Sequence, residues 1–309
     1  AGHDASLWGV DTTRIFVSMR HRFVFCSLAK VALTQFSHMF SFVRGENATV
    51  AQEVMLPEHP PSDTERGMRA LNRYLVKNWF PDPSSGWRFA AFVRDPLERF
   101  LSAFLDKCLR WLHDWRPREL HQCEDGRRDG FRSRRPRAPM TFEDDVLAFE
   151  GFVAQGLPTP GMRSNDHWLP QAGILRAACA FEPGRAGSFL GVLVPARASV
   201  QWQVTELLHS SLGLGLARAA RLAERFFPSD GHADAKAAEH STWASTRVRL
   251  FYRRRETLLA VLRYVRRDYA ALGLRLPRWA RDVLRNGSSP AELGLGSVRG
   301  GPRATEEKK

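Results

Sequence analysis

The junction AFVRDPLERFLSAF, residues 91 to 104, constrains this chain more than any other stretch. An apolar run from Phe89 to Val93 stops at Arg94, an Asp-Pro pair follows, and a helical pattern begins. Asp95 is a good N-cap acceptor, and Pro96 suits the first helical position, where a missing N–H costs nothing. Leu97, Phe100, Leu101, Phe104 and Cys108 recur at helical spacing and predict one apolar face. Ser102 is read as lying off that face, near Glu98 and Asp106. The cap and the apolar face account for a strand leading into a helix. They do not require Arg94 or Ser102.

The rest of the chain follows the same grammar. TRIFVS (13–18) and RFVFCS (22–27) read as short strands joined by a basic turn, and LAKVALTQFSHMFSFV reads as a loop entering a helix. A helix is expected around Glu65 to Trp79, and another after the N-cap Thr141, with Glu143 and Asp144 in its first turn. SFLGVLV (188–194) predicts a buried strand, and residues 200–226 and 244–272 read as helical. Val248, Phe251, Leu258, Leu262, Val265 and Tyr269 form the buried stripe of the last. Strands alternating with helices predict a single α/β domain over residues 1–285, with a central, mainly parallel sheet flanked by helices. Residues 51–66 read as a surface excursion and 286–309 as a disordered tail. The Arg- and Pro-rich stretch 116–139 is either an exposed, flexible insertion or a contact loop for an anionic substrate.

The 309 residues carry a formal net charge of +13, with 40 Arg against 6 Lys. Such a surface attracts anions: phosphates, nucleic acids, anionic lipids or acidic polysaccharides. The arginine excess is also what a GC-rich coding bias produces, so charge alone does not choose among them. No run of eighteen apolar residues is present. The chain begins at Ala1 without a signal-like segment, and so reads as a processed or truncated piece with any anchor upstream. Asn47-Ala-Thr49 and Asn286-Gly-Ser288 are glycosylation sequons. Cys26, Cys108, Cys123 and Cys179 lack zinc-site spacing, and both disulfides and free buried thiols remain open for them. No metal site is read from the sequence.

FVFCSLAKVALTQF has the parts of an anion cradle. Backbone N–H groups from Val31, Ala32, Leu33, Thr34 and Gln35 would open a helix, with Lys30 as a point charge and Thr34 as a hydroxyl donor. A lysine after a strand is also what an ordinary surface loop carries. The GxxxxGK[ST] pattern is absent, which argues against a P-loop kinase-like nucleotide enzyme. Arg94 leaves a second strand at the carboxyl edge of the expected sheet, where α/β folds collect ligands. Its guanidinium can grip a phosphate, with Ser102 adding a hydroxyl. Two such sites in one domain suggest a ligand with two separated phosphate-type groups.

Together the two stretches resemble the sulfotransferases that use 3′-phosphoadenosine 5′-phosphosulfate (PAPS), and most closely the Golgi carbohydrate sulfotransferases that include the chondroitin enzymes. The family's C-x-x-P-K-x-G/A-C/S-T loop for the 5′-phosphosulfate is matched by Cys26, Lys30, Ala32 and Thr34. Its F-x-R-D-P-x-E-R-x-x-S-A segment for the 3′-phosphate is matched by Phe92, Arg94, Asp95, Pro96, Glu98, Arg99, Ser102 and Ala103. HWLPQ (167–171) and EHSTWAS followed by LRYVRRDYAALGL resemble two further family stretches, so the likeness covers residues 23 to 275. The chain departs from the pattern at Ala29, where proline is usual, and at Leu33. It also carries Leu193 and Val194 where an acidic residue often follows the strand.

The resemblance implies a P-loop-like sulfotransferase fold and in-line transfer of a sulfuryl group from PAPS to a glycan hydroxyl, without a metal. Lys30 would stabilise the departing phosphate, and His167 is the candidate base. The alternative for His167 is a structural histidine packed beside Trp168. His240 is the runner-up, and Glu53, Glu58 and His59 are further candidates. The expected setting is the Golgi lumen, on a type II membrane protein whose anchor is not in this sequence, with a glycan or proteoglycan acceptor of anionic character and no nucleic-acid partner. A non-catalytic basic module that binds glycosaminoglycan or nucleic acid is the competing class, although no nucleic-acid motif is found.

Overall fold

The computed structural model describes residues 15–18, 21–46, 86–109, 141–159, 162, 166–179, 181, 183–184, 187–194, 197–228 and 244–285. The helix expected at Glu65–Trp79, the insertion 116–139, the asparagines of both sequons and the tail from 286 lie outside the described residues.

Strands β1 (Ile15–Ser18), β2 (Phe23–Cys26), β3 (Arg88–Arg94) and β4 (Ser188–Leu193) form one sheet in the order β1-β2-β3-β4. β1 pairs antiparallel to β2, while β2, β3 and β4 run parallel, as the alternation of elements predicts. Cys26 lies opposite Ala91, and Arg94 lies opposite Leu193, so the loops after β2 and β3 leave from the same carboxyl edge. β2 is buried throughout and β3 from Phe89 to Val93, which explains why they read as continuous apolar runs rather than alternating ones. β4 differs from expectation: only Gly191 is buried, because β4 stands at the end of the strand order. A Cβ on Gly191 would come within 2.4 Å of the Phe92 ring, so this pairing needs glycine.

Among the described residues, two apolar cores result. In the first, helices α1 (Leu33–Glu46), α5 (Arg197–Leu212) and α6 (Leu216–Phe226) pack with the sheet. The rings of Phe36 and Phe92, and of Phe25 and Phe40, are centred 4.8 Å apart within it. The second is helical and gathers α2 (Pro96–Phe104), α3 (Phe142–Ala154), α7 (Ala244–Phe251), α8 (Arg255–Ala271) and α9 (Arg278–Arg285) around Phe100, Phe149 and Trp168. Helix α4 (Gln171–Cys179) follows the Trp168 turn, and a single π-helical turn, Leu105–Leu109, continues α2.

The caps form as the sequence indicates. Asp95 accepts hydrogen bonds from the N–H groups of Leu97 (3.0 Å) and Glu98 (3.1 Å), and Thr141 makes a capping box with Asp144. The two long helical stretches are each divided. Gly213, at φ 64°, ends α5 before Gly215 opens α6. Tyr252 interrupts the second stretch, its buried hydroxyl donating to the Leu97 carbonyl at 3.0 Å. Ser102 also departs from expectation. Helix α2 is buried on nearly every side by the helical core, and Ser102 is buried with it.

Candidate functional site

The loop after β2 is bent in an unusual way. Lys30 (φ 65°) and Ala32 (φ 50°) both adopt left-handed backbone, while Ala29 and Val31 between and before them do not. Such conformations cost a non-glycine residue about 1–3 kcal/mol and concentrate at functional sites. Alternating handedness turns successive N–H groups toward one side, which suits an anion. The Val31 N–H returns to the Leu28 carbonyl (3.2 Å), and the Phe36 N–H bonds to the Ala32 carbonyl (3.0 Å). The N–H groups of Leu33, Thr34 and Gln35 are therefore first-turn donors at the positive end of α1, a turn without an acidic residue. The Val31 side chain is buried, while Ala32, Leu33, Thr34 and Gln35 are partly exposed.

Lys30 projects from this loop onto Asp106 of the π-helical turn, and its ammonium donates to Asp106 Oδ2. Burial pulls the Lys30 pKa down to about 8, although the Asp106 carboxylate works against the fall. Burial opposes ionisation of Asp106 too, but Lys30, Lys107 and His167 outweigh it and hold the carboxyl below its ordinary range. Lys107 Nζ stands 3.4 Å from the same oxygen. The site thus gathers two amines and an imidazole around one carboxylate.

His167 sits in the turn before α4, with Nδ1 3.0 Å from Asp166 Oδ1. A carboxylate can only accept, so Nδ1 carries the proton and Nε2 is left as the basic atom. Burial lowers the His167 pKa against the pull of Asp166, and Lys107 and Lys30 lower it further. The neutral imidazole is the form favoured near pH 7. Its neighbour Trp168 turns the other way, into the helical core against Phe100.

Arg94 ends β3 at the same edge. Its Nε donates to Glu98 Oε2 (3.3 Å) and its Nη2 to Ser245 Oγ (2.8 Å), while Ser245 Oγ donates to Glu98 Oε2 (2.7 Å). Arg94 is close enough to Lys30 to contribute to its lowered pKa. The two cations expected from the sequence therefore share one neighbourhood.

Buried Arg99 holds the site together. Its Nε donates to the Ala29 carbonyl (3.0 Å), Nη1 to the Leu169 carbonyl (2.7 Å) and Nη2 to the Asp166 carbonyl. One guanidinium thus staples the Lys30 loop to the His167 turn. Asp268 of α8 accepts from the N–H groups of Gln171 and Ala172, both at 2.9 Å, and fixes the start of α4.

Lys30, Arg94 and His167 are thus assembled, and the turn from Val31 to Gln35 lies beside them. Ser102 lies one turn beyond Glu98, inside the packed helix. His240, Glu53, Glu58 and His59 lie outside the described residues. The sequence motifs do not single out Asp106 or Lys107, and Ser245 enters only as the last residue of the EHSTWAS stretch. Asp106 and Lys107 fall where a π turn shifts the helical register, and Ser245 meets Arg94 across 151 residues of sequence. Cys26 and Cys108 are both disulfide-bonded, which resolves the alternatives left open for them.

The sulfotransferase family profile matches residues 13–190, more than half of the chain. Among curated proteins, the chain is similar to carbohydrate sulfotransferase 10 of Xenopus laevis, 30% identical over 141 residues, which is 43% of this chain and 37% of that protein. It is also similar to carbohydrate sulfotransferase 14 of Homo sapiens, 27% identical over 189 residues, covering 61% of this chain and 46% of that one. The chain thus spans less than half the length of these relatives. No solved structure matches it.

Proposed function

Because the chain belongs to the sulfotransferase family, we propose that it moves a sulfuryl group from PAPS to a hydroxyl of a carbohydrate acceptor by in-line displacement. The observation that carries this reading is the meeting of Lys30 and His167 around Asp106, at the carboxyl edge of the parallel strands.

The residues fit an anionic donor. Lys30 stands next to a helix start rich in N–H donors and without acid, and Arg94 offers a second cation nearby. In this reading Lys30 and the turn Val31–Gln35 bind the 5′ end of the nucleotide and Arg94 binds the 3′-phosphate; Ser102, expected beside it, is buried within α2. Bound PAPS supplies a sulfuryl group already attached to a good phosphate leaving group. His167 Nε2 accepts the proton of the acceptor hydroxyl as its oxygen bonds to sulfur. Lys30 offsets the charge left on the phosphate when the old sulfur–oxygen bond breaks. Arg99 keeps these two residues in register from beneath.

The names of the relatives support a carbohydrate acceptor, and the net charge of +13 supports an anionic one. Disulfide-bonded Cys26 and Cys108 support an oxidising, secretory setting such as the Golgi lumen. Among the described residues, no helix is long and apolar enough to cross a membrane.

The test is to incubate the protein with radiolabelled PAPS and a panel of glycans, alongside Lys30→Ala and Arg94→Ala. Label should pass to a glycan with the wild type and fail to do so with Lys30→Ala. If 3′-phosphoadenosine 5′-phosphate neither binds nor stabilises the wild type, the reading is wrong.

A further inference from the structure

The π-helical turn after α2 places Asp106 and Lys107 beside Lys30, and the fold alone does not ask for this. Asp106 keeps only a small exposed area. Its contacts include two cations, Lys30 from the loop after β2 and Lys107 from its own turn, with His167 close enough to shift its titration. Single π turns inside α-helices recur at functional sites, because the extra residue re-aims the side chains that follow. We propose that Asp106 is a positioning residue for Lys30: it draws the ammonium out of the strained loop toward His167 and keeps it protonated, ready for an anionic donor. The inference rests on the sulfuryl-transfer reading for the role of Lys30, but not for the contact itself.

Lys107 completes the arrangement. When Lys30 turns to an anion, the ammonium of Lys107, 3.4 Å from Oδ2, remains to neutralise Asp106. Otherwise the released carboxylate would repel the incoming phosphate. The other charged groups facing Lys30 are Arg94 at the end of β3, buried Arg99 beneath Ala29, and His167 with Asp166 in the turn before α4. Of all these, Asp106 is the one that makes an ion pair with Lys30.

With six lysines in the chain, the ammonium can be followed directly. Protein labelled with 13C at the lysine ε-carbon is titrated by NMR without any donor, and Lys30 is assigned by the signal lost in Lys30→Arg. The wild-type midpoint is expected near pH 8. Asp106→Asn should lower it by about 1–3 units, the usual effect of an adjacent opposite charge, and Asp106→Glu should restore most of the shift. Asp106→Ser gives the same comparison if the asparagine variant does not fold. In the activity assay, the alkaline limb of the kcat profile should move to lower pH with Asp106→Asn. An unchanged Lys30 midpoint in a folded Asp106→Asn or Asp106→Ser variant overturns the inference. If the midpoint moves but the wild type does not bind 3′-phosphoadenosine 5′-phosphate, the contact stands and the sulfuryl-transfer reading fails.

Discussion

Gln171 closes a two-way hydrogen-bond pair on the backbone of Arg94: its Oε1 accepts from the Arg94 N–H at 3.0 Å, and its Nε2 donates to the Arg94 carbonyl at 2.8 Å. A fully buried side chain thus mimics a neighbouring strand at the last residue of β3. Gln171→Ala leaves both backbone groups without these partners, at a cost of about 1–3 kcal/mol. Urea unfolding should show this loss. Gln171→Glu should be worse, because it sets a carboxylate against the Arg94 carbonyl and near buried Asp268.

Arg94→Ala separates ligand binding from local folding. The cap of α2 depends on Asp95, not on the guanidinium, so the helix start should survive. Affinity for 3′-phosphoadenosine 5′-phosphate should fall about 10- to 100-fold, as expected for loss of a charged hydrogen-bonding contact. Calorimetric titration measures this, and far-UV circular dichroism should remain unchanged. Ser245→Ala should give a smaller loss, because it frees Arg94 from one of its two side-chain contacts.

Arg99→Lys tests the staple. Lysine keeps the charge, but one ammonium cannot reach the carbonyls of Ala29, Leu169 and Asp166 together. At least one buried carbonyl then loses its partner. The expected cost is about 3 kcal/mol in unfolding free energy. Activity should fall further than stability explains, because the Lys30 loop and the His167 turn lose their common tie.

Reduction should weaken the fold. Cys26 ends β2 and Cys108 lies in the π turn, so both bonded cysteines flank the Lys30 site. A disulfide typically contributes about 2–4 kcal/mol. Thermal unfolding with and without dithiothreitol should show a lower midpoint in the reduced protein, and Cys108→Ser should reproduce part of the loss.

What could be read from the sequence was local. The Asp95 and Thr141 caps, the parallel strands and the positions of Lys30 and Arg94 all follow from residues within a few positions of one another. The contacts that make a site of them do not: Lys30 meets Asp106 across 76 residues, and Arg94 meets Ser245 across 151. Periodicity also misled where packing overrode it. Helix α2 lies within the helical core and has little solvent face, so Ser102 is buried where a one-sided stripe leaves it exposed. Gly213 and Tyr252 divide stretches whose apolar spacing looks continuous.

Asp95 makes stability depend on pH. Burial raises its pKa to about 6, against the lowering effect of the hydrogen bonds it accepts from the Glu98 N–H, the Tyr269 hydroxyl and the Leu97 N–H. The folded state therefore holds this proton at a pH where the unfolded chain, with the ordinary value of 3.8, has already lost it. Stability from this group is fully present below pH 3.8 and is lost as pH rises through about 6. A shift of about two units corresponds to at most about 3 kcal/mol, and solvent contact at this part-buried carboxyl reduces it. Asn caps a helix nearly as well as Asp but does not titrate. Urea unfolding of the wild type and of Asp95→Asn should therefore give a stability difference that turns against the wild type between pH 4 and pH 6. If that difference stays constant across the window, Asp95 does not bind its proton more tightly in the folded state.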